Sequence, residues 1–559
     1  MSMVRDSKVQ VITFLLIVIF LLGICIYKYT LLAYGLQSVY DEGFFYITSL
    51  FINDIVVSTQ PLSLSIDMID ALIPDIKQYD VLTLRQYAYL AKSISFLMLL
   101  FCSCIFLHKC YSEKRFSIYL ALIASTLLIA NRLLPSLVFN MNDIMLVLVT
   151  CAFSLCLLFS SFQNVSLRYC VALLIGIISW FTLICNLPAG CMLIVLCGVF
   201  MLLYGGFSVK KMKCVILFGL VGIIIGVGIT HFFIISLSDC YVFLQKGIIQ
   251  TTSGGRASHH SLTRVILVIF FGLRDLAITT FLLCGITYIT KFLHKLHRKG
   301  WLTILFSVVC FFIAYKWQVK PQIYITSVLC WLTIIFLKYH IKLNTLSRNE
   351  IIIICISFIM PICLGFGTNT NILSKALSCG SVWSLLIFLF YYKSQPEVRK
   401  YFICGIIIIA YVLLHDFDFN LQNQEELHFT KAEPIATMNL TANQKAFYDE
   451  VYDVLSDNGY NMGVDTLLGF CFNEMTIVAM DAKPYTNDQQ PEEFLLHDLS
   501  IVPAPKYMIL SEWDSIVLYN RFSELEWDFP NGYRYYKCKS NPDPNSGYNM
   551  TQSIIYCKE

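Results

Sequence analysis

Two adjacent carboxylates, Asp41 and Glu42, sit inside the run Tyr-Asp-Glu-Gly-Phe-Phe-Tyr at residues 40–46. The run follows closely on a long apolar stretch, residues 9–33. A carboxylate at a water–lipid boundary is partly stripped of solvent, and here it also has a like-charged neighbour. Both conditions make it a stronger base, fit to take the proton of an attacking hydroxyl. A second account stays open: acids at the start of a helix are favourable there with no chemistry at all. Acids are scarce in this part of the chain, which gives their placement weight. Of the 14 Asp and Glu before residue 415, seven fall between residues 34 and 87: Asp41, Glu42, Asp54, Asp67, Asp70, Asp75 and Asp80.

A base for a hydroxyl is useful when an anionic leaving group departs from the reaction partner, and such a group needs cations. Those near the same boundary are Lys77, Arg85, Lys246, Arg256, Arg264, Arg274, Lys316 and Lys320. Arginine is suited to two-pronged contact with a phosphate. Arg256 shares a Gly/Ser-rich stretch with His259 and His260, the composition of a loop able to close over a phosphate or of an ordinary solvated loop. Arg264 and Arg274 fall in or beside an amphipathic or re-entrant segment expected at 262–273, and Asp275 can neutralise Arg274. Thr368, Asn369 and Asn371, in the run Gly-Phe-Gly-Thr-Asn-Thr-Asn, carry the amides and hydroxyls that read sugar hydroxyls. The same residue types also make plain interfacial turns.

The elements that must position these groups are membrane helices. Hydrophobic residues are 57% of the 559 and charged residues only 14%, which excludes a soluble globular chain, a disordered chain and a nucleic-acid binder. The net charge of +3 conceals a split: residues 1–414 carry +17 and residues 415–559 carry −14. A basic apolar body therefore precedes an acidic, water-soluble region. Spans are expected at 9–33, 88–107, 116–134, 143–162, 168–185, 189–206, 214–236, 275–293, 301–315, 321–338, 350–366, 375–392 and 401–414, thirteen in all. Basic residues collect in or beside alternate connections: Lys109, Lys114 and Arg115; Lys210, Lys211 and Lys213; Lys291, Lys295, Arg298 and Lys299; Lys338, Lys342 and Arg348; Lys393, Arg399 and Lys400. That alternation predicts a cytoplasmic N-terminus and, with thirteen spans, a non-cytoplasmic C-terminal region. The long outer connections are then 34–87 and 236–274. Residues 1–414 form the membrane domain, 415–440 a linker, and 441–559 a small α/β domain.

In that last domain a helix is expected at 441–458 and strands at 466–470, 476–480 and 507–510. Trp513, Trp527 and Tyr533 to Tyr536 are of a type that stacks on sugars, though such aromatics more commonly fill a small core. Nineteen of 22 cysteines precede residue 415, mostly within apolar runs, where they act as small hydrophobes. Of the three in the tail, Cys471, Cys538 and Cys557, one pair could bridge in an oxidising compartment, and Cys538 with Cys557 would tie down the C-terminus. No CxxC pair, phosphate loop, dinucleotide fingerprint or repeat is present.

The acidic pair just past the first span, the long connection it heads, the second long connection after the seventh span and the soluble C-terminal region together resemble the GT-C glycosyltransferases. This family includes the protein O-mannosyltransferases and the aminoarabinose transferase of lipid A. The resemblance implies a polytopic, mainly α membrane bundle that moves a sugar from a polyprenyl-phosphate carrier to a glycan, lipid or protein acceptor. It implies Asp41 as base and Glu42 as its support or a metal neighbour, and it allows a divalent metal while implying no other cofactor. By the same resemblance Arg85, Arg256, Arg264, Arg274, His259 and His260 would meet the donor phosphate. Thr368, Asn369 and Asn371 would meet the sugar or acceptor. The location implied is a bacterial inner membrane with a periplasmic or extracellular C-terminal domain. Two rivals remain. One is a lipid-linked glycan transporter, which calls for inverted repeats and polar helix interruptions at midplane. The other is a surface-polysaccharide polymerase or ligase, which would rest on Arg256, His259 and His260.

Overall fold

A computed structural model describes residues 80–111, 141–204, 209–241, 262–297, 321–343, 346–365, 380–394, 430–469, 473–485, 503–511, 531–540 and 552–558, with isolated positions elsewhere that include Leu32, Ala33 and Met68. The chain is mainly α-helical, with one small sheet near its C-terminus, as expected. Among the described residues, the helices with defined ends are α1 (Val81–Tyr111), α2 (Met141–Ser161), α3 (Val165–Cys185), α4 (Leu187–Tyr204), α5 (Val209–Ile229), α6 (Leu262–His297), α7 (Pro321–Leu343), α8 (Arg348–Ile359), α9 (Ser381–Lys393), α10 (Ala442–Asp457) and α11 (Glu474–Ala479). In hydrocarbon every backbone N–H and C=O needs an internal partner, so apolar stretches of this length resolve into helices.

Seven helices among the described residues are long and apolar enough to cross a membrane, and the chain is a multi-pass membrane protein. Two shorter apolar helices, Ile323–Tyr339 and Val382–Tyr391, accompany them. The spans expected at 116–134 and 301–315 lie outside the described residues, and those at 9–33 and 401–414 lie largely outside them. The count of thirteen is thus not reached among the described residues. The start of α6 differs from expectation. Residues 262–273 are no separate re-entrant segment but the first part of α6, which runs 36 residues without a break. The Arg274–Asp275 pair gives it a polar girdle, and nothing in the sequence there breaks a helix.

Polar side chains set several ends. Asn164 accepts from Ser166 N at 2.9 Å and starts α3; Asn186 accepts from Ala189 N at 3.2 Å and separates α3 from α4. Ser347 and Glu350 form a capping box on α8, and Thr441 and Gln444 form one on α10. α1 and α2 lie side by side and parallel. Lys92 of α1 meets Asp143 in the first turn of α2, and Lys109 near the end of α1 lies over the Phe162 ring just past α2, 4.9 Å from its centroid. A parallel pair is what the intervening span expected at 116–134 requires. α3 and α5 are parallel too, pressed together at Gly176 and Gly222. α5 continues into a π turn, Thr230–Ile234, which Trp180 of α3 secures by donating from Nε1 to Thr230 Oγ1 at 2.9 Å.

The C-terminal sheet has five strands: β1 (Thr466–Gly469), β2 (Lys483–Pro484), β3 (Tyr507–Ser511), β4 (Tyr533–Ser540) and β5 (Gln552–Lys558), in the order β2-β1-β3-β5-β4. β1 pairs parallel with β2 and β3, while β5 pairs antiparallel with β3 and β4. α10 packs on β4 and β5. The strand expected at 476–480 is instead the short helix α11. Parallel pairing of β1 with β2 requires a crossover, and those residues form it.

β4 and β5 were not expected as strands. Within β4, Tyr533 donates to Pro505 O at 2.6 Å and Tyr536 to Asn458 Oδ1 at 2.9 Å, so both are satisfied core tyrosines; only Tyr535 stands out, at 65% exposure. Trp513 and Trp527 lie outside the described residues. Cys538 and Cys557 are both buried free thiols. The strand register sets Cys557 opposite Arg534, four positions from Cys538. At about 3.3 Å per residue that offset is roughly 13 Å, far beyond disulfide reach. Burial also pushes the Cys538 thiol up to about 12 and the Cys557 thiol up to about 11.

Candidate active site

The region that leads into Asp41 and Glu42 can be followed through the residues that hold its start. Leu32 and Ala33 close the first helix in a turn. Arg85, in the first turns of α1, is fully buried and donates from Nη1 to Leu32 O at 2.7 Å. Tyr29, one turn earlier, sets its ring edge-on against Tyr89 with centroids 5.8 Å apart. Ala33 O accepts from Asn439 N at 2.7 Å, which brings in the segment that precedes α10. Thr437, in the same segment, donates to Asp80 Oδ2 at 2.6 Å, while Asp80 Oδ1 caps α1 by accepting from Thr83 N at 2.9 Å. Met68, from the first long connection, is buried with its Sδ 3.4 Å from Cys185 Sγ at the end of α3. One end of the bundle therefore gathers the exit of the first helix, the heads of α1 and α2, the end of α3 and the start of the acidic C-terminal region.

A charge pair lies just inside this end. Lys92 Nζ and Asp143 Oδ1 are 2.9 Å apart, and their side chains are 0% and 4% exposed. Asp143 sits in the first turn of α2, where the helix dipole favours a carboxylate. Desolvating two charges is expensive even when they pair, and ionisable residues inside a membrane bundle are functional candidates by default. Sequence reasoning passed over both residues. The signal was present, a lysine inside the span expected at 88–107 and an aspartate opening the one at 143–162, but their pairing across separate helices leaves no mark in the sequence.

Asp80 is itself perturbed. Burial acts to raise its carboxyl, but hydrogen bonds from Thr437 and Thr83 outweigh that and hold it below its ordinary value. A carboxyl depressed in the docked state stabilises docking at neutral pH and loses that contribution as pH falls through the depressed value. We expect the melting-temperature gap between wild type and Asp80→Asn to be level from pH 7 to about pH 5 and to close below about pH 4. Asparagine keeps the cap on α1 but puts an amide donor where Oδ2 accepts from Thr437, so the gap reports the carboxylate together with that bond. A gap that widens on acidification would show that the carboxylate is not the stabilising form.

The other expected site residues divide three ways. Asp41, Glu42, Arg256, His259, His260, Thr368, Asn369 and Asn371 lie outside the described residues. Arg264 falls in the first turn of α6. Arg274, about 15 Å further along the same helix, gives Nε and Nη2 to Asp275 Oδ1 at 3.0 and 2.8 Å and covers the Phe271 ring at 4.9 Å. Its guanidinium thus serves its own neighbours at a half-exposed position. Among the described residues no group of three or more His, Cys, Asp and Glu side chains forms a metal-binding cluster, and Asp143 is engaged by Lys92.

The sequence matches no protein-family model and no curated protein. Among solved structures, the chain is similar to the Archaeoglobus fulgidus oligosaccharyltransferase in complex with zinc and sulfate, at 14% identity and a TM-score of 0.44, over 96% of this chain and 73% of that one. It is also similar to ArnT from Cupriavidus metallidurans, apo at 10% identity and TM-score 0.43 over 99% and 98% of the two chains, and bound to undecaprenyl phosphate at 11% and 0.43 over 96% and 97%.

Proposed function

We propose that this chain is a GT-C-like membrane glycosyltransferase that moves a sugar from a polyprenyl-phosphate carrier to a glycan, lipid or protein acceptor. The observation that carries the reading is the convergence at one end of the bundle. The helix exit leading into Asp41 and Glu42 is tied to α1 through Arg85, and the acidic C-terminal region is docked on that same exit through Asn439 and Thr437. A lipid-borne donor approaches such an end from within the bilayer, and an acceptor approaches from the side of the soluble region. In the transfer, the acceptor oxygen forms a bond to the anomeric carbon as the bond from that carbon to the phosphate oxygen breaks. Asp41 takes the hydroxyl proton, and the lipid phosphate leaves with the bonding pair. Direct displacement inverts the anomeric centre. The alternation of basic connections supports a cytoplasmic N-terminus with the docked domain on the far side, and the membrane of this reading is a bacterial inner membrane.

The purified protein, given radiolabelled polyprenyl-phosphate sugars and envelope acceptors, is expected to transfer label. Asp41→Asn is expected to lower the rate about 10²–10⁴-fold, the usual contribution of a positioned base, with unchanged expression and helical content. Wild-type transfer by that variant removes the base assignment. Loss of activity in Arg256→Ala with His260→Ala, but not in Asp41→Asn, selects the polymerase or ligase reading. Mass analysis of surface glycans from cells with and without the gene names the sugar.

A further inference from the structure

We propose that the β4–β5 edge of the C-terminal sheet is a docking surface for a short anionic saccharide. Tyr535 is the platform on which a sugar stacks, and Lys537 and Lys558 meet its charge. That this saccharide is the acceptor of the transfer rests on the transferase reading above; that it binds here does not.

β4 ends the sheet, next to β5. The pleat sends alternate side chains to opposite faces. Tyr536 reaches Asn458 at the end of α10, so its face is the one the helix covers. Tyr533, Tyr535 and Lys537 share the other face, and the register sets Lys558 opposite Tyr533 and Tyr556 opposite Tyr535. The Tyr535 and Tyr556 rings lie together there, with centroids 6.5 Å apart. Tyr535, Lys537 and Lys558 are all exposed. Lys537 is two residues from Tyr535, about 7 Å along the strand, and the Lys558 position is about as far in the other direction. The ring therefore stands between two ammoniums. An aromatic face attracts the polarised C–H groups of a sugar, and ammoniums donate to a carboxylate or phosphate beside it.

The charge around this edge runs against the charge of the region. Residues 415–559 carry −14, yet β3, β4 and β5 contain no Asp or Glu. Glu450 of α10 reaches β4 at the Lys539 backbone N–H, 3.1 Å away and past the bulge. Lysines on an edge strand also serve to repel strand addition. A guard of that kind has no use for a large ring standing in solvent among the lysines, since an exposed aromatic favours the association that the guard prevents. An anionic bilayer is a poorer occupant than a saccharide. An extended negative surface is repelled by the whole acidic region, whereas a short anion is sensed by the two ammoniums within about one Debye length, about 8 Å.

The test is equilibrium binding to the full-length protein in zwitterionic nanodiscs. The probes are trigalacturonate, phosphorylated maltotriose, the methyl ester of the first, and triglutamate as an anion without a sugar. Wild type is expected to bind at least one of the two anionic trisaccharides about tenfold or more tightly than the ester and triglutamate, and less tightly as salt rises. Tyr535→Ala and Lys537→Gln/Lys558→Gln should each weaken that binding about tenfold with an unchanged melting temperature, and Tyr535→Trp should retain it. Lys431→Gln removes the same charge from an exposed pair with Asp453 and should bind as wild type does. No binding of either anionic trisaccharide overturns the proposal, and so does equal affinity for the ester or wild-type affinity in Tyr535→Ala. A double lysine variant that self-associates with its binding intact shows the lysines to be an edge guard and overturns it too. So does co-flotation with phosphatidylglycerol vesicles that the double variant loses and neither trisaccharide competes away, which assigns the surface to the membrane. A protein that binds as expected but transfers no sugar removes the transferase reading and leaves the docking surface standing.

Discussion

Asp143→Ala is expected to cost the protein most of its folded yield. The substitution leaves Lys92 as a buried cation, 0% exposed, with the carboxylate 2.9 Å from it gone. Removing one member of a buried pair typically costs about 3–5 kcal/mol, because the survivor keeps its desolvation cost and loses its compensation. Against a total stability of about 5–15 kcal/mol this is a large fraction. Fluorescence-detected size exclusion after a temperature ramp should show an aggregated or strongly down-shifted species. The contrast with Lys92→Met/Asp143→Asn separates two physical accounts. If the attraction between the charges holds α1 to α2, the single and double variants are equally damaged. If the penalty is the stranded charge, the double variant recovers near wild-type melting while Asp143→Ala does not. Desolvation should win, since both groups lie within the bundle, 0% and 4% exposed. Equal damage in the two variants would mean that the Coulombic grip is the main term.

The helices were legible because apolar stretches of twenty residues have one stable solution in a bilayer, and α2, α3 and α4 fall within a few residues of expectation. Lys92 was invisible for the same reason. A hydropathy window averages one lysine into many apolar neighbours, and its partner Asp143 belongs to a different window. The head of α1 was placed too late, at 88 rather than Val81, since Arg85 reads as a loop residue until its contact with Leu32 O is known. In the C-terminal region the capping box of α10 marked its own start. Residues 476–480 were a short apolar run compatible with strand or helix, and the parallel pairing of β1 and β2, a tertiary fact, decided for helix. The docking of Thr437 on Asp80 joins residues far apart in sequence, with no local pattern to announce it.

Gly222→Leu is expected to separate α3 from α5. A Cβ at Gly222 would lie 2.0 Å from Leu173 O, and one at Gly176 would lie 2.1 Å from Gly219 O. These are backbone atoms inside helices and cannot swing aside as a side chain would. Small residues are what let helices approach this closely in a membrane, where dispersion and not water exclusion holds them together. Overpacking usually costs about 1–3 kcal/mol, and a backbone clash with a whole leucine behind it belongs at or beyond the upper end. The same helices hold their own controls. A Cβ at Gly219 meets only Ala172 O at 3.9 Å, and one at Gly228 meets nothing within 4 Å. Gly219→Ala should therefore be neutral or slightly stabilising, since alanine is favoured over glycine in a helix by about 1 kcal/mol. The damage from Gly222→Leu should also travel along the crossing. Trp180 lies further along α3 and reaches Thr230 of the π turn at 2.9 Å, a bond that depends on the same close approach. Loss of that bond would move the end of α5, from which the chain leads toward Arg256, His259 and His260. The expected readings are a melting temperature lowered in Gly222→Leu, unchanged in Gly228→Leu, and a tryptophan emission shift confined to the first. Equal melting temperatures for the Gly222 and Gly228 variants would mean that α3 and α5 are not in backbone contact.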